Sequence, residues 1–66
     1  MRLENATICG GTVFIKAGDT VNLMNCIFSE TIFRFEQPGP VKYCGFRWPD
    51  GSIVMNCVFT NGCKEE

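Results

Sequence analysis

Five cysteines, seven carboxylates and no histidine limit the chemistry that these 66 residues can carry. A cysteine hydrolase needs a base to make thiolate, and histidine ordinarily supplies it. Cys9, beside Gly10-Gly11, would have to be activated by backbone N–H groups or a lysine, and reads first as a packed or inert thiol. Asp19 and Asp50 are 31 residues apart in equivalent contexts, so a glycosidase-like acid and base pair is conceivable. Both sit in turn sequences, where Asp hydrogen-bonds its own backbone, and that role comes first. A structural zinc wants ligands paired at short spacing. The tightest cysteine spacing here is Cys57 to Cys63, so neither a metal nor another cofactor is expected, and no catalytic residue is assigned.

The better candidate for contact chemistry is aromatic. Tyr43, Phe46, Arg47 and Trp48 fall within six residues, with Lys42 adjacent. A Trp at a turn is expected to keep part of its ring exposed. An aromatic beside Arg stacks on a sugar, a base or a partner side chain. Phe33 and Phe35 flank Arg34 on a neighbouring strand. The candidate binding residues are therefore Tyr43, Arg47, Trp48, Phe33 and Phe35, with subunit packing as the competing role for the same side chains.

The elements that must position them are strands. Gly and Pro punctuate every stretch, and β-branched and aromatic residues fill the short runs between. Strands are expected near residues 3–9, 12–16, 20–28, 31–36, 41–47 and 52–59. Trp48-Pro49-Asp50-Gly51 carries a strong turn signal.

One block repeats. Met24-Asn25-Cys26-Ile27-Phe28-Ser29 returns as Met55-Asn56-Cys57-Val58-Phe59-Thr60. A repeated block in so short a chain marks a structural unit used more than once. A period of about 18–20 residues aligns Leu3–Ile8 with Leu23–Phe28, and then with Val41–Phe46. It also aligns Thr12-Val13-Phe14 with Thr31-Ile32-Phe33. Strand, corner, strand and turn is what a parallel β-helix rung needs, with Cys26, Cys44 and Cys57, and likewise Phe28, Phe46 and Phe59, as inward ladders. The 31-residue offset of the block itself instead allows two similar hairpins in an antiparallel meander or small barrel. The fold class is all-β, with a short, about three-rung parallel β-helix-like solenoid ahead of the meander. Asn25 and Asn56, with Asn5, are expected to pin strand register through stacked amides.

The run Asn25-Cys26-Ile27-Phe28, Phe33-Arg34-Phe35, Pro38-Gly39-Pro40 and Cys44-Gly45-Phe46 resembles the Asn-Cys-x-Phe rungs of parallel β-helix proteins of right-handed type. It is also similar to short bacterial proteins of unknown function with that pattern. The resemblance spans residues 3–59 and implies a fold. Parallel β-helices often act on polysaccharides, which is the analogy behind a carbohydrate or carboxylate reading.

Composition bounds the rest. Residues 1–66 make one small domain, with 63–66 expected as a polar C-terminal tail. A chain this short buries only roughly 60% of its unfolded surface, so disulfides, a metal or self-association usually help. The odd cysteine count and a start without signal-peptide character point to reduced thiols and a cytoplasmic setting. Cys26, Cys44 and Cys57 are expected to be buried, and Cys9 and Cys63 to be the exposed thiols. Six Phe, one Trp and one Tyr exceed what the chain can hide, which points to a homo-oligomer. A net charge of −1 without a basic stripe gives nucleic acid no electrostatic footing. No apolar run approaches membrane-spanning length. The resulting expectation is a non-enzymatic, self-associating binding or scaffolding module. Its rivals are a carbohydrate or small-molecule binder with a site between subunits, and a small hydrolase. Short chains of this kind are common on phages and other mobile elements, which is a setting rather than a function.

Overall fold

The computed structural model describes all 66 residues. It contains strands and turns but no helix. The strands are β1 (Arg2–Glu4), β2 (Thr7–Cys9), β3 (Thr12–Ile15), β4 (Asn22–Met24), β5 (Ile27–Ser29), β6 (Ile32–Phe35), β7 (Val41–Tyr43), β8 (Phe46–Trp48), β9 (Ile53–Met55), β10 (Val58–Thr60) and β11 (Lys64–Glu65). Nine of them stack in three parallel sheets ordered β1-β4-β9, β2-β5-β10 and β3-β6-β11. The chain thus winds through three rungs of three strands, as in a short parallel β-helix.

Register explains the repeat. Leu3 pairs with Leu23, Ile8 with Phe28 and Val13 with Phe33, an offset of 20 residues. Leu23 then pairs with Val54 and Phe28 with Phe59, an offset of 31. Both offsets are rung periods. The second is longer because an antiparallel hairpin, β7-β8, is inserted between rungs two and three. Residues 41–46, expected as the start of a third rung, are that hairpin. Cys44 at φ 54° and Gly45 at φ 83° form its two-residue turn. Positive φ at both centres suits the twist of a tight hairpin.

Asparagine breaks the expected long strands. Asn5, Asn25 and Asn56 have φ between 54° and 57°, so each of the runs 3–9, 20–28 and 52–59 is two strands joined by a left-handed corner. Asn tolerates that region because its short polar side chain bonds locally. Asn56 Nδ2 donates to Asn25 Oδ1 at 2.8 Å, the amide pairing expected from the sequence for these two; Asn5 does not extend it into the first rung. A second corner stacks Gly10, Glu30 and Asn61, with Glu30 left-handed at φ 55°.

That second corner also corrects an alignment. Thr12 faces Ile32, and Val13 faces Phe33, one residue away from the sequence match. A slip of one flips side chains to the other face. Phe33 is accordingly buried, whereas Phe14 stands 56% exposed. Thr31 lies at the corner instead, where its hydroxyl donates to the carbonyls of Ser29 at 3.1 Å and Gly10 at 3.3 Å.

The core runs along the solenoid axis. Leu23, Cys26, Phe28 and Phe33 of the middle rung are fully buried. Phe28 and Phe59 stack at 5.3 Å with planes 5° apart. The hairpin turns Phe46 and Trp48 onto the same interior, so that Phe46 lies 5.1 Å from Phe59 and 5.4 Å from Phe33. Phe46 therefore closes over the ladder rather than extending it. The C-terminal residues also join the fold. Lys64 and Glu65, expected in a solvated tail, pair with Ile32 and Phe33. Cys63 Sγ reaches the carbonyls of Thr60 at 3.2 Å and Phe28 at 3.3 Å, so it is held half-buried at the corner rather than exposed.

Candidate functional site

The aromatic segment is split by the hairpin pleat. Alternate residues on β8 face opposite ways, so Phe46 and Trp48 go inward and Arg47 outward. Trp48, expected to be partly exposed, has no accessible surface, and its Nε1 donates to the Tyr43 carbonyl at 3.2 Å. Phe33 is also fully buried, and Phe35 is half-buried with its ring 5.3 Å from Trp48. These three rings are core. Arg47 and Tyr43 remain at the surface. Arg47 is structural in part: its Nε donates to the Gly39 carbonyl at 3.1 Å and its backbone N–H to Glu65 Oε1 at 2.9 Å. The Cys44 thiol beside Tyr43 raises the phenol above its ordinary range, and slight burial adds to this. The five candidate residues thus do not form one surface.

The carboxylate pair fares no better as a site. Asp50 lines a shallow hollow of about 350 Å³ with Gln37, Pro38, Pro40 and Pro49, while Asp19 lies outside its lining. Gly and Pro make most of that wall, and Asp50 is its only ionisable side chain. No group of three or more acidic, Cys or His side chains is placed to hold a metal ion.

The thiols divide differently from expectation. All five are free; Cys26 is buried, Cys57 and Cys63 are half-buried, and Cys9 and Cys44 are exposed. Cys44 is exposed because it forms the hairpin turn. Cys57 stacks in register below Cys26, and burial pushes its thiol above the usual range, in part offset by a hydrogen bond with the Cys26 backbone. A raised thiol pKa favours the protonated form in the fold. The resulting stabilisation is fully present below the unfolded thiol range of about 8.5 and is lost as pH rises through the folded value. We expect an alkylating reagent at neutral pH to modify Cys9 and Cys44 first, Cys57 more slowly and Cys26 only after unfolding. Site-resolved mass spectrometry checks this; Cys26 modified as fast as Cys9 would contradict the ladder placement.

The surface that the sequence reading missed is aliphatic. Outward positions alternate with the buried ones on each strand, and in rungs two and three they carry Ile27, Ile53, Met55 and Val58. All four are exposed, Met55 by 55% and Val58 by 53%. They lie on the two sheets that meet at the Asn25–Asn56 corner, with half-buried Met24 paired to Met55. The signal was present in the repeat: Ile27 and Val58 stand beside the inward Cys and Phe positions and must point outward. Scans against protein-family models, curated proteins and solved structures return no match to this chain.

Proposed function

We propose that this chain is a non-enzymatic, self-associating β module that acts as a scaffold or protein-binding unit. The observation that carries the reading is the apolar surface left outside the fold. The Ile27, Ile53, Met55 and Val58 strip flanks the Asn corner, and the inward first-rung residues Leu3, Ala6, Ile8 and Val13 are only half covered. Exposed apolar side chains gathered on neighbouring strands mark contact with another protein more often than catalysis. The polar side chains with defined geometry, Asn25, Asn56, Thr31 and Ser29, support the reading from the other side. They are used in holding corners. A reducing, cytoplasmic setting belongs to the same proposal, since all five thiols are free and the exposed pair would otherwise cross-link chains. No helix is long and apolar enough to cross a membrane.

Light scattering coupled to gel filtration tests the self-association. A molar mass at least twice the 7.4 kDa of one chain is expected at high micromolar concentration. A monomer mass throughout would overturn it.

A further inference from the structure

Both ends of the solenoid are sheet edges with half-buried inward residues, β1, β2 and β3 at one and β9, β10 and β11 at the other, but their cover differs. At the third-rung end the hairpin lays Phe46 and Trp48 against Phe59. At the first-rung end nothing of the chain covers Leu3, Ala6, Ile8 and Val13, which are half-buried although their second-rung partners are fully buried. The backbone is open there too. Asn22 N–H donates to Met1 O and Asn5 N–H to Met24 O, so the groups of Leu3 face rung two and those of Arg2 and Glu4 face away. The same pattern leaves Thr7 and Cys9 open on β2, and Thr12 and Phe14 on β3. An uncovered strand edge is a template for pairing. No proline interrupts the first rung; all three prolines lie between residues 38 and 49.

The charges on this edge complement their own image. Arg2 and Glu4 flank Leu3 on β1, with Arg2 Nη2 3.2 Å from Glu4 Oε1. A twofold axis through Leu3 sets Arg2 opposite Glu4 of a second copy, and Glu4 opposite its Arg2. In an antiparallel pair, residues opposite each other exchange hydrogen bonds only if both point across the gap. Arg2 and Glu4 are the two that do. The same rotation lays β2 over the second copy's β3, where Thr7 meets Phe14, Cys9 meets Thr12, and Ile8 meets Val13 across the axis. The open groups again face one another, and the half-buried core residues of the two chains come together.

We propose that two copies of this chain dock head to head through their first rungs, with β1 pairing antiparallel to its twofold mate and Arg2 set against Glu4 of the other copy. This rests on the self-association reading and specifies its geometry. The contact is isologous and closes on itself, so it yields a dimer rather than a fibre. The footprint is small for a specific interface, so dissociation at roughly micromolar concentration is expected.

The test is charge reversal read by sedimentation equilibrium. Wild type is expected to be a dimer at high micromolar concentration. Arg2→Glu alone and Glu4→Arg alone each set like charges opposite and should shift the dimer toward monomer by tenfold or more in dissociation constant. An equimolar mixture of the two variants restores opposite charges and should dimerise. In amide exchange, Arg2, Glu4, Thr7, Cys9, Thr12 and Phe14 should gain protection on dimerisation. If wild type associates but neither single reversal weakens it, the head-to-head geometry is wrong while self-association stands, and the Met55–Val58 strip becomes the contact. If wild type is a monomer, both fail.

Discussion

Trp48→Ala is expected to remove a large part of the chain's folding stability. Trp48 is fully buried where the hairpin meets the second and third rungs. Its ring lies 5.3 Å from Phe35, 5.5 Å from Phe33 and 5.9 Å from Phe59, and its N–H is bonded to the Tyr43 carbonyl. Truncating a buried aromatic to Ala costs about 3–5 kcal/mol, because transfer energy and a residual cavity add. A domain of this length has only about 3–10 kcal/mol in total, from 0.05–0.15 kcal/mol per residue. Loss of the one ring thus removes a large part of the stability. Trp48→Phe keeps most of the apolar volume and loses the hydrogen bond, so about 1–2 kcal/mol is expected. Urea titration followed by far-ultraviolet circular dichroism measures both variants. Because Trp48 is the only tryptophan, wild-type emission should be blue-shifted when folded and move red on unfolding. An Ala variant within about 1 kcal/mol of wild type would mean that the ring does not close this end of the core.

The same residue shows where sequence reasoning stops. The neighbours Trp48-Pro49-Asp50-Gly51 do form a turn, with Ser52 N–H donating to the Pro49 carbonyl at 3.2 Å. A turn sequence says that the backbone reverses, not which way the last strand residue points. That depends on the inserted hairpin, whose register sets Trp48 opposite Val41 and aims it inward. Periodicity, by contrast, was legible. Rung strands alternate inward and outward, so Leu23, Cys26 and Phe28 could be read as core from spacing alone. The 20- and 31-residue offsets looked like rival folds because an insertion in one turn changes the period without changing the rung. The second corner was legible as the strand break at Gly10-Gly11 and Ser29-Glu30, whereas Asn5, Asn25 and Asn56 read as register pins within long strands, because a single left-handed residue in an apolar run carries no Gly or Pro break. The outer strip follows from the same alternation at Ile27 and Val58, whereas Ile53 and Met55, on the strand before the Asn56 corner, are placed beside them only by the corner itself.

Gly39→Ala should match the Trp48 truncation in severity through the opposite fault, too many atoms rather than too few. Gly39 is buried beneath the strand that carries Trp48. A Cβ there would fall on the carbonyl of Trp48 and 2.7 Å from the Pro49 nitrogen. Those neighbours are backbone, so no flexible side-chain tip can move aside. Pro38 and Pro40 fix φ on either side, and Arg47 Nε holds the Gly39 carbonyl, which leaves the segment little room to shift. Overpacking of this kind costs about 1–3 kcal/mol and sometimes more, and here the upper end is expected. Gly18→Ala is the control. It adds a Cβ in open space at φ +85°, so it suffers only left-handed strain of about 1–2 kcal/mol. The comparison is made by urea midpoint and by native Trp48 emission. A Gly39→Ala midpoint equal to that of Gly18→Ala, with unchanged emission, would show that the hairpin shifts freely. If instead the hairpin lifts, the third-rung end, where β9, β10 and β11 are already unpaired sheet edges, also loses its aromatic cover. Association would then no longer be confined to the first rung. Any folded fraction of Gly39→Ala should sediment as species larger than a dimer, which ties the packing of one buried glycine to the size of the assembly.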